Sequence, residues 1–319
     1  MEIPHSLYGC VLLFNNDITN TWPEVRATLL CKSPGSVLGG CPFFTAVFSE
    51  LGCTVDWIYT EGQTLGVESV TQAAVVRGPA RCVLLGERPA LNCLARASGI
   101  ATRCQQVLDM ARTARWEGQL AGTRKTTPGF RLVEKYAMLV GGISMHRHDL
   151  SGMVMLKDNH VWASGSITQA VRDARSVCGF SSKIEVECRN DVEAQEAARA
   201  GADIIMLDNY TPQLLHTAAL SLKQQFPSVL IEASGGVTLL SLPLYFSPHV
   251  DIISLGCITQ GCPTVDFSLK VQGKLPSNES VVHDDKDSHY NDDENISPSH
   301  DGKEMANTDC SLPRRDFAF

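Results

Sequence analysis

No apolar run in this sequence reaches the roughly 18 residues that a membrane-crossing helix needs. The short run from Leu7 to Phe14 lacks a basic start, so no signal peptide is expected. There is no CxxC pair, and the twelve cysteines are scattered without a disulfide or zinc framework. They read as free thiols in a reducing, cytoplasmic setting. The histidines at 146, 148 and 160 follow no usual zinc spacing. A Walker loop, a G-x-G-x-x-G fingerprint and a G-x-S-x-G elbow are all missing. The chemistry is therefore expected to need neither a nicotinamide nor a serine nucleophile. A basic excess is missing too. The net charge is −8, of which −6 falls on Val271–Phe319, leaving a nearly neutral body. That argues against a nucleic-acid binder.

What is present is a change of grammar along 319 residues. Up to about residue 114 the chain reads as an α/β sandwich of the α+β type, with short strands and helices. Phe43, Phe44, Val47 and Phe48 have helical spacing, and Thr54–Tyr59 alternates as a strand does. The Thr21–Glu24 stretch predicts a short helix, with Pro23 near its first turn. From Ala80 to Ala111 the residues are helix formers, and Ser98-Gly99 predicts a break into two helices.

From residue 115 to 270, short apolar runs alternate with helical stretches, and most apolar runs end on polar residues. From Lys157 onward these ends fall at 157, 187, 208, 234 and 256, with gaps of 30, 21, 26 and 22 residues. Each gap is the length of one strand and one helix. The intervening stretches 167–177, 192–200, 212–226 and 239–246 read as those helices. Such alternation implies a parallel sheet rolled into an open, TIM-like α/β barrel, whose chemistry lies at the C-terminal strand ends. Residues 271–319 are acidic and poor in apolar side chains, and they read as a disordered tail.

Pooling the strand ends gives five groups able to carry positive charge: Arg124, Lys125, His146, Arg147 and Lys157. Gathered at one mouth they would repel unless an anion neutralised them, so the substrate should carry several negative charges. Arg suits planar carboxylates and phosphates, while Lys acts as a point charge. Ser234-Gly235-Gly236 and Gly256 lie in the last two loops, where barrels often cradle a phosphate. Glu187 and Asp208 read either as an acid–base pair or as ligands of Mg²⁺. The surrounding cations and the phosphate loops favour Mg²⁺. A polyanion, Mg²⁺ and a phosphate cradle together suggest transfer from a phosphorylated sugar, with no organic cofactor.

The run from Gly122 to Tyr136 closely resembles the quinolinate phosphoribosyltransferase family in its vertebrate-like form. Matching runs are 85–92, 98–101, His146-Arg147, 156–160, 185–187, 207–209 and 232–236. The resemblance covers about residues 32–270 and leaves residues 1–31 divergent. It implies a reaction of quinolinate with phosphoribosyl pyrophosphate that gives nicotinate mononucleotide, pyrophosphate and CO₂ in NAD biosynthesis. It also implies Mg²⁺ dependence and a homodimer or larger homo-oligomer, up to a hexamer, with shared sites.

The resemblance further implies residue roles. Arg88, Arg124, His146 and Arg147 would hold the quinolinate carboxylates, with Arg88 reaching in from a neighbouring subunit. Lys125 and Lys157 would face the phosphates, and Glu187 and Asp208 the ribose and Mg²⁺. Ser234, Gly235, Gly236 and Gly256 would hold the 5′-phosphate. Arg88 is followed by Pro89, which is expected only near a helix start and would reorient it. An alternative expectation is a weakened isoform that binds quinolinate or a partner without turnover.

Overall fold

A computed structural model of the chain describes residues 23–66 and 69–272. Most of the divergent N-terminal segment and nearly all of the acidic tail lie outside the described residues.

The first described element is a strand, β1 (Glu24–Cys31), where a helix was expected. Pro23 does not open a helix because the alternating Val25, Ala27 and Leu29 face an apolar layer. It is followed by α1 (Cys41–Glu50), β2 (Thr54–Trp57), β3 (Thr71–Pro79) and α2 (Ala80–Thr113). The antiparallel sheet runs β10-β1-β3-β2, and its last member, β10 (Phe267–Gln272), returns from the far end of the chain. The barrel stretch read from the sequence as 115–270 thus closes on the N-terminal sheet. Leu29, Phe44, Phe48, Val76, Leu94 and Leu269 share the core between this sheet and the helices.

α2 is one unbroken helix of 34 residues, about 50 Å long. Neither Ser98-Gly99 nor Pro89 ends it. Gly99 is there because a methyl group at that position would overlap the Pro263 carbonyl oxygen. Ser98 is buried, and its hydroxyl exchanges two 3.0 Å hydrogen bonds with the backbone of Gly39. The pair is a packing site rather than a breaker. Pro89 lies on the exposed side of the helix beside Arg88, which stays helical. The first half of α2 packs on the sheet through Val83, Leu91 and Leu94. Its second half packs on the barrel through Ile100, Cys104 and Val107.

The second sheet holds six parallel strands in the order β4-β9-β8-β7-β6-β5. These are β4 (Gln119–Ala121), β5 (Val154–Leu156), β6 (Ile184–Cys188), β7 (Ile204–Asp208), β8 (Leu230–Ser234) and β9 (Ile252–Ser254). The connecting helices are α3 (Arg131–Val140), α4 (Asp158–Ser164), α5 (Ile167–Val177), α6 (Asp191–Ala200) and α7 (Pro212–Gln225). The helix expected over 239–246 is only a short 3₁₀ turn, Leu242–Tyr245, which contains Pro243. β4 and β5 do not pair with each other. A single parallel bridge, Ala121 to Ser144, extends the β4 edge, so the barrel is open there. The parallel strands are buried and nearly continuous in apolar character, as β7 (IIMLD) illustrates.

Candidate active site

The C-terminal strand ends converge on a cavity of about 280 Å³. It is lined by Arg124, Lys125, His146, Arg147 and Lys157, together with Glu187, Asp208 and Ser234. Eight residues singled out in the sequence therefore meet in one place. Gly235, Gly236 and Gly256 sit in the loops beside them rather than on the cavity wall. Gly235 has φ 90°, and a side chain there would overlap Asn209, so the turn after β8 requires glycine. Arg88 is exposed on α2 and is not brought to the cavity within this chain.

The loop leaving β4 is pinned from behind. Glu134 on α3 is fully buried and accepts the Thr127 backbone N–H at 3.1 Å and the Thr127 hydroxyl at 2.7 Å. Arg96 on α2 donates to the same carboxylate at 2.9 and 2.8 Å, and to the carbonyls of Thr259 and Cys262. Thr259 in turn donates to the Lys125 carbonyl at 2.6 Å. A buried, hydrogen-bonded ion pair thus fixes the segment that presents Arg124 and Lys125.

The donors aimed at the cavity are short of partners. The Arg124 Nε is buried with none among the described residues. Arg147 donates to the Met155 sulfur at 2.9 Å, a weak acceptor. Burial, and then the charge of Arg124, lower the pKa of Arg147. Lys135 lies behind them, buried on α3 and donating to the Met145 carbonyl. Burial and the charges of Arg131, Arg124 and Arg147 pull its pKa down to about 8. These penalties describe a site organised for an anion.

The opposite wall is acidic. Lys157 pairs with Glu187. Burial, followed by the charge of Glu187, raises the pKa of Asp208. Glu232 on the cavity wall and Glu185 beside it are fully buried, and neither Glu185 oxygen is hydrogen-bonded among the described residues. Burial and then the Glu232 charge push the Glu185 carboxyl well above the usual carboxylate range. His146 bridges the two, with Nε2 3.2 Å from Glu232 and 3.8 Å from Glu185. His160 is used differently: its Nδ1 accepts the Lys157 backbone N–H at 3.0 Å and caps α4.

Sequence reasoning missed Glu232, Glu185, Met155, Met206, Ser254, Arg96, Glu134 and Lys135. A signal existed for Glu185 and Glu232. Each stands inside an apolar strand, and Glu185 has the same alternation phase as Glu187. For Arg96 and Glu134 there was none, because both look like surface helix residues.

Comparison with known proteins gives the family. Residues 100–270 match the quinolinate phosphoribosyl transferase C-terminal domain, and residues 16–98 match its N-terminal domain. The human nicotinate-nucleotide pyrophosphorylase [carboxylating] is 56% identical over 258 residues, covering 81% of this chain and 86% of that protein. The rat protein of the same name is 53% identical over 267 residues, covering 83% and 88%. The crystal structure of NadC from Streptococcus pyogenes superposes with a TM-score of 0.72 at 31% identity, covering 85% of this chain and 99% of that one. The chain belongs to the quinolinate phosphoribosyl transferase family.

Proposed function

We propose that the protein transfers the phosphoribosyl group of phosphoribosyl pyrophosphate to quinolinate with loss of CO₂, giving nicotinate mononucleotide and pyrophosphate. It is thus a pentosyltransferase of NAD biosynthesis. The observation that carries this reading is the convergence of Arg124, Lys125, His146, Arg147 and Lys157 on one cavity. Both substrates are polyanions, and the half-buried guanidinium groups of Arg124 and Arg147 suit a diacid.

In this reading Arg124, His146 and Arg147 orient the quinolinate carboxylates. Lys125 and Lys157 meet the pyrophosphate, and the Ser234–Gly236 and Gly256 loops cradle the 5′-phosphate. Breaking the bond between the anomeric carbon and pyrophosphate builds positive charge on the sugar and negative charge on the leaving group. Fixed cations and the carboxylates of Glu187 and Asp208 match those two charges. Holding the pyridine nitrogen in line with the anomeric carbon supplies the remainder. The ribosylated nitrogen is cationic, so the adjacent carbon can keep the electron pair when its carboxyl group departs as CO₂. A proton then fills that position. No organic cofactor is required.

Glu187 and Asp208 suit a magnesium ion. They are hard oxygen donors on neighbouring strands, and burial followed by the Glu187 charge raises Asp208, a penalty that a cation would relieve. A magnesium ion held there would neutralise pyrophosphate oxygens.

Arg88 is exposed and outside the cavity, which supports a homodimer or larger assembly in which Arg88 of the partner subunit completes the site. A cytoplasmic location is part of this reading and rests on the scattered cysteine pattern of the sequence.

Incubation with quinolinate, phosphoribosyl pyrophosphate and Mg²⁺ should release CO₂ and nicotinate mononucleotide in equal amounts. Absence of product at high protein concentration would overturn the assignment. Native mass measured on the same sample tests the assembly.

A further inference from the structure

Resting on the function proposed above, we propose that Glu232 is the positioning residue for His146. It holds the ring by Nε2 as a charged donor, so that the rest of the ring serves a substrate carboxylate.

Glu232 is fully buried in the middle of β8, and among the described residues its only ion-pair partner is His146. Its other oxygen, Oε1, is buried without a partner among the described residues. A carboxylate in this position is costly unless a cation is fixed beside it. The His146 ring, with its side chain 11% exposed, lies 3.2 Å away and meets that need when both of its nitrogens carry protons. The backbone is arranged to bring the ring there. His146 stands at φ 58°, a conformation that non-glycine residues seldom adopt. Its N–H is tied to the Ser144 hydroxyl at 3.1 Å, just past the bridge to β4. Lys135 from α3 holds the preceding Met145 carbonyl.

The reason a support is needed lies on the other side of the ring. A second cavity of about 480 Å³ opens beneath the first, and His146, Arg147 and Glu232 line both. The ring is thus part of a wall with open space on both sides of it. The groups facing it are Glu185 from β6, Glu232 from β8 and Arg147 from its own loop. Among the described residues, only Glu232 is within hydrogen-bond distance of Nε2. With Nε2–H committed to Glu232, His146 can still donate to an anion through Nδ1 only if both nitrogens carry protons. That makes it a cation matched to a carboxylate.

The test compares wild type with Glu232→Gln, Glu232→Asp, His146→Gln and the Glu232→Gln/His146→Gln pair. Glu232→Gln is expected to raise the KM for quinolinate about tenfold, with the KM for phosphoribosyl pyrophosphate changed by less than about twofold. Glu232→Asp should recover part of the loss. The Glu232→Gln effect should vanish in the His146→Gln background. Equal changes in both KM values, or the same loss with and without His146, would overturn the proposal. A second measurement needs no turnover and uses one variant, His146→Gln, only for assignment. Imidazole ¹⁵N spectra of the wild type, with the His146 signals identified by their loss in His146→Gln, should show both ring nitrogens protonated at pH 7. An unprotonated Nε2 would overturn the proposal even if the protein made no product from quinolinate.

Discussion

Glu134 and Arg96 form a buried ion pair, with two hydrogen bonds of 2.9 and 2.8 Å, that joins α3 to α2 and anchors the loop carrying Arg124 and Lys125. The Glu134 side chain is fully buried and that of Arg96 is 17% exposed. Removing one partner leaves the other charge uncompensated. Glu134→Ala should therefore cost about 3–5 kcal/mol of unfolding free energy. Denaturant unfolding reads the loss, and a cost below about 1 kcal/mol would mean the pair is not held as described.

Lys135 makes a pH prediction. Its folded value of about 8 lies below the ordinary 10.5, so between those pH values the unfolded chain keeps a proton that the folded chain has released. Stability from this group therefore rises with pH across that window and is lost as pH falls through 8. The stability difference between wild type and Lys135→Met should grow in favour of wild type by roughly 1–3 kcal/mol from pH 7.5 to 10. Paired unfolding titrations check the sign, and a flat difference would count against the burial of a titrating amine here.

The diacid reading predicts unequal losses. Arg124→Ala and Arg147→Ala each remove charge-assisted hydrogen bonds. Each should weaken quinolinate by about ten- to a hundredfold, through roughly 1.5–3 kcal/mol. Nicotinate has one carboxylate fewer and should lose less. Competition binding with both acids measures the ratio, and equal losses would separate the arginines from the second carboxylate.

At Gly99 the chain admits no side chain, because the Pro263 carbonyl occupies that space. Gly99→Val should destabilise by about 1–3 kcal/mol or more through overpacking, although valine is compatible with a helix in general. The shift in thermal midpoint reads this. Since the displaced segment leads into β10, the antiparallel sheet should lose hydrogen-exchange protection along β1 as well.

The sequence alone determined the alternation of strands and helices from Lys157 onward. Apolar runs capped by charges are a local pattern that parallel strands and their loops impose directly. It also determined that Arg124, Lys125, His146, Arg147, Lys157, Glu187, Asp208 and Ser234 belong together, because strand ends of one barrel must face one mouth. Only the tertiary structure decided the path at Ser98-Gly99, where two residues that discourage helix locally are retained by contacts with Gly39 and Pro263. It alone placed β10 against β1, a pairing set by apolar residues more than two hundred positions apart. And it alone revealed the support behind the site: Glu134 under the Arg124–Lys125 loop and Glu232 under His146. Their roles depend on burial and on a distant partner, and neither quantity is written in the local sequence.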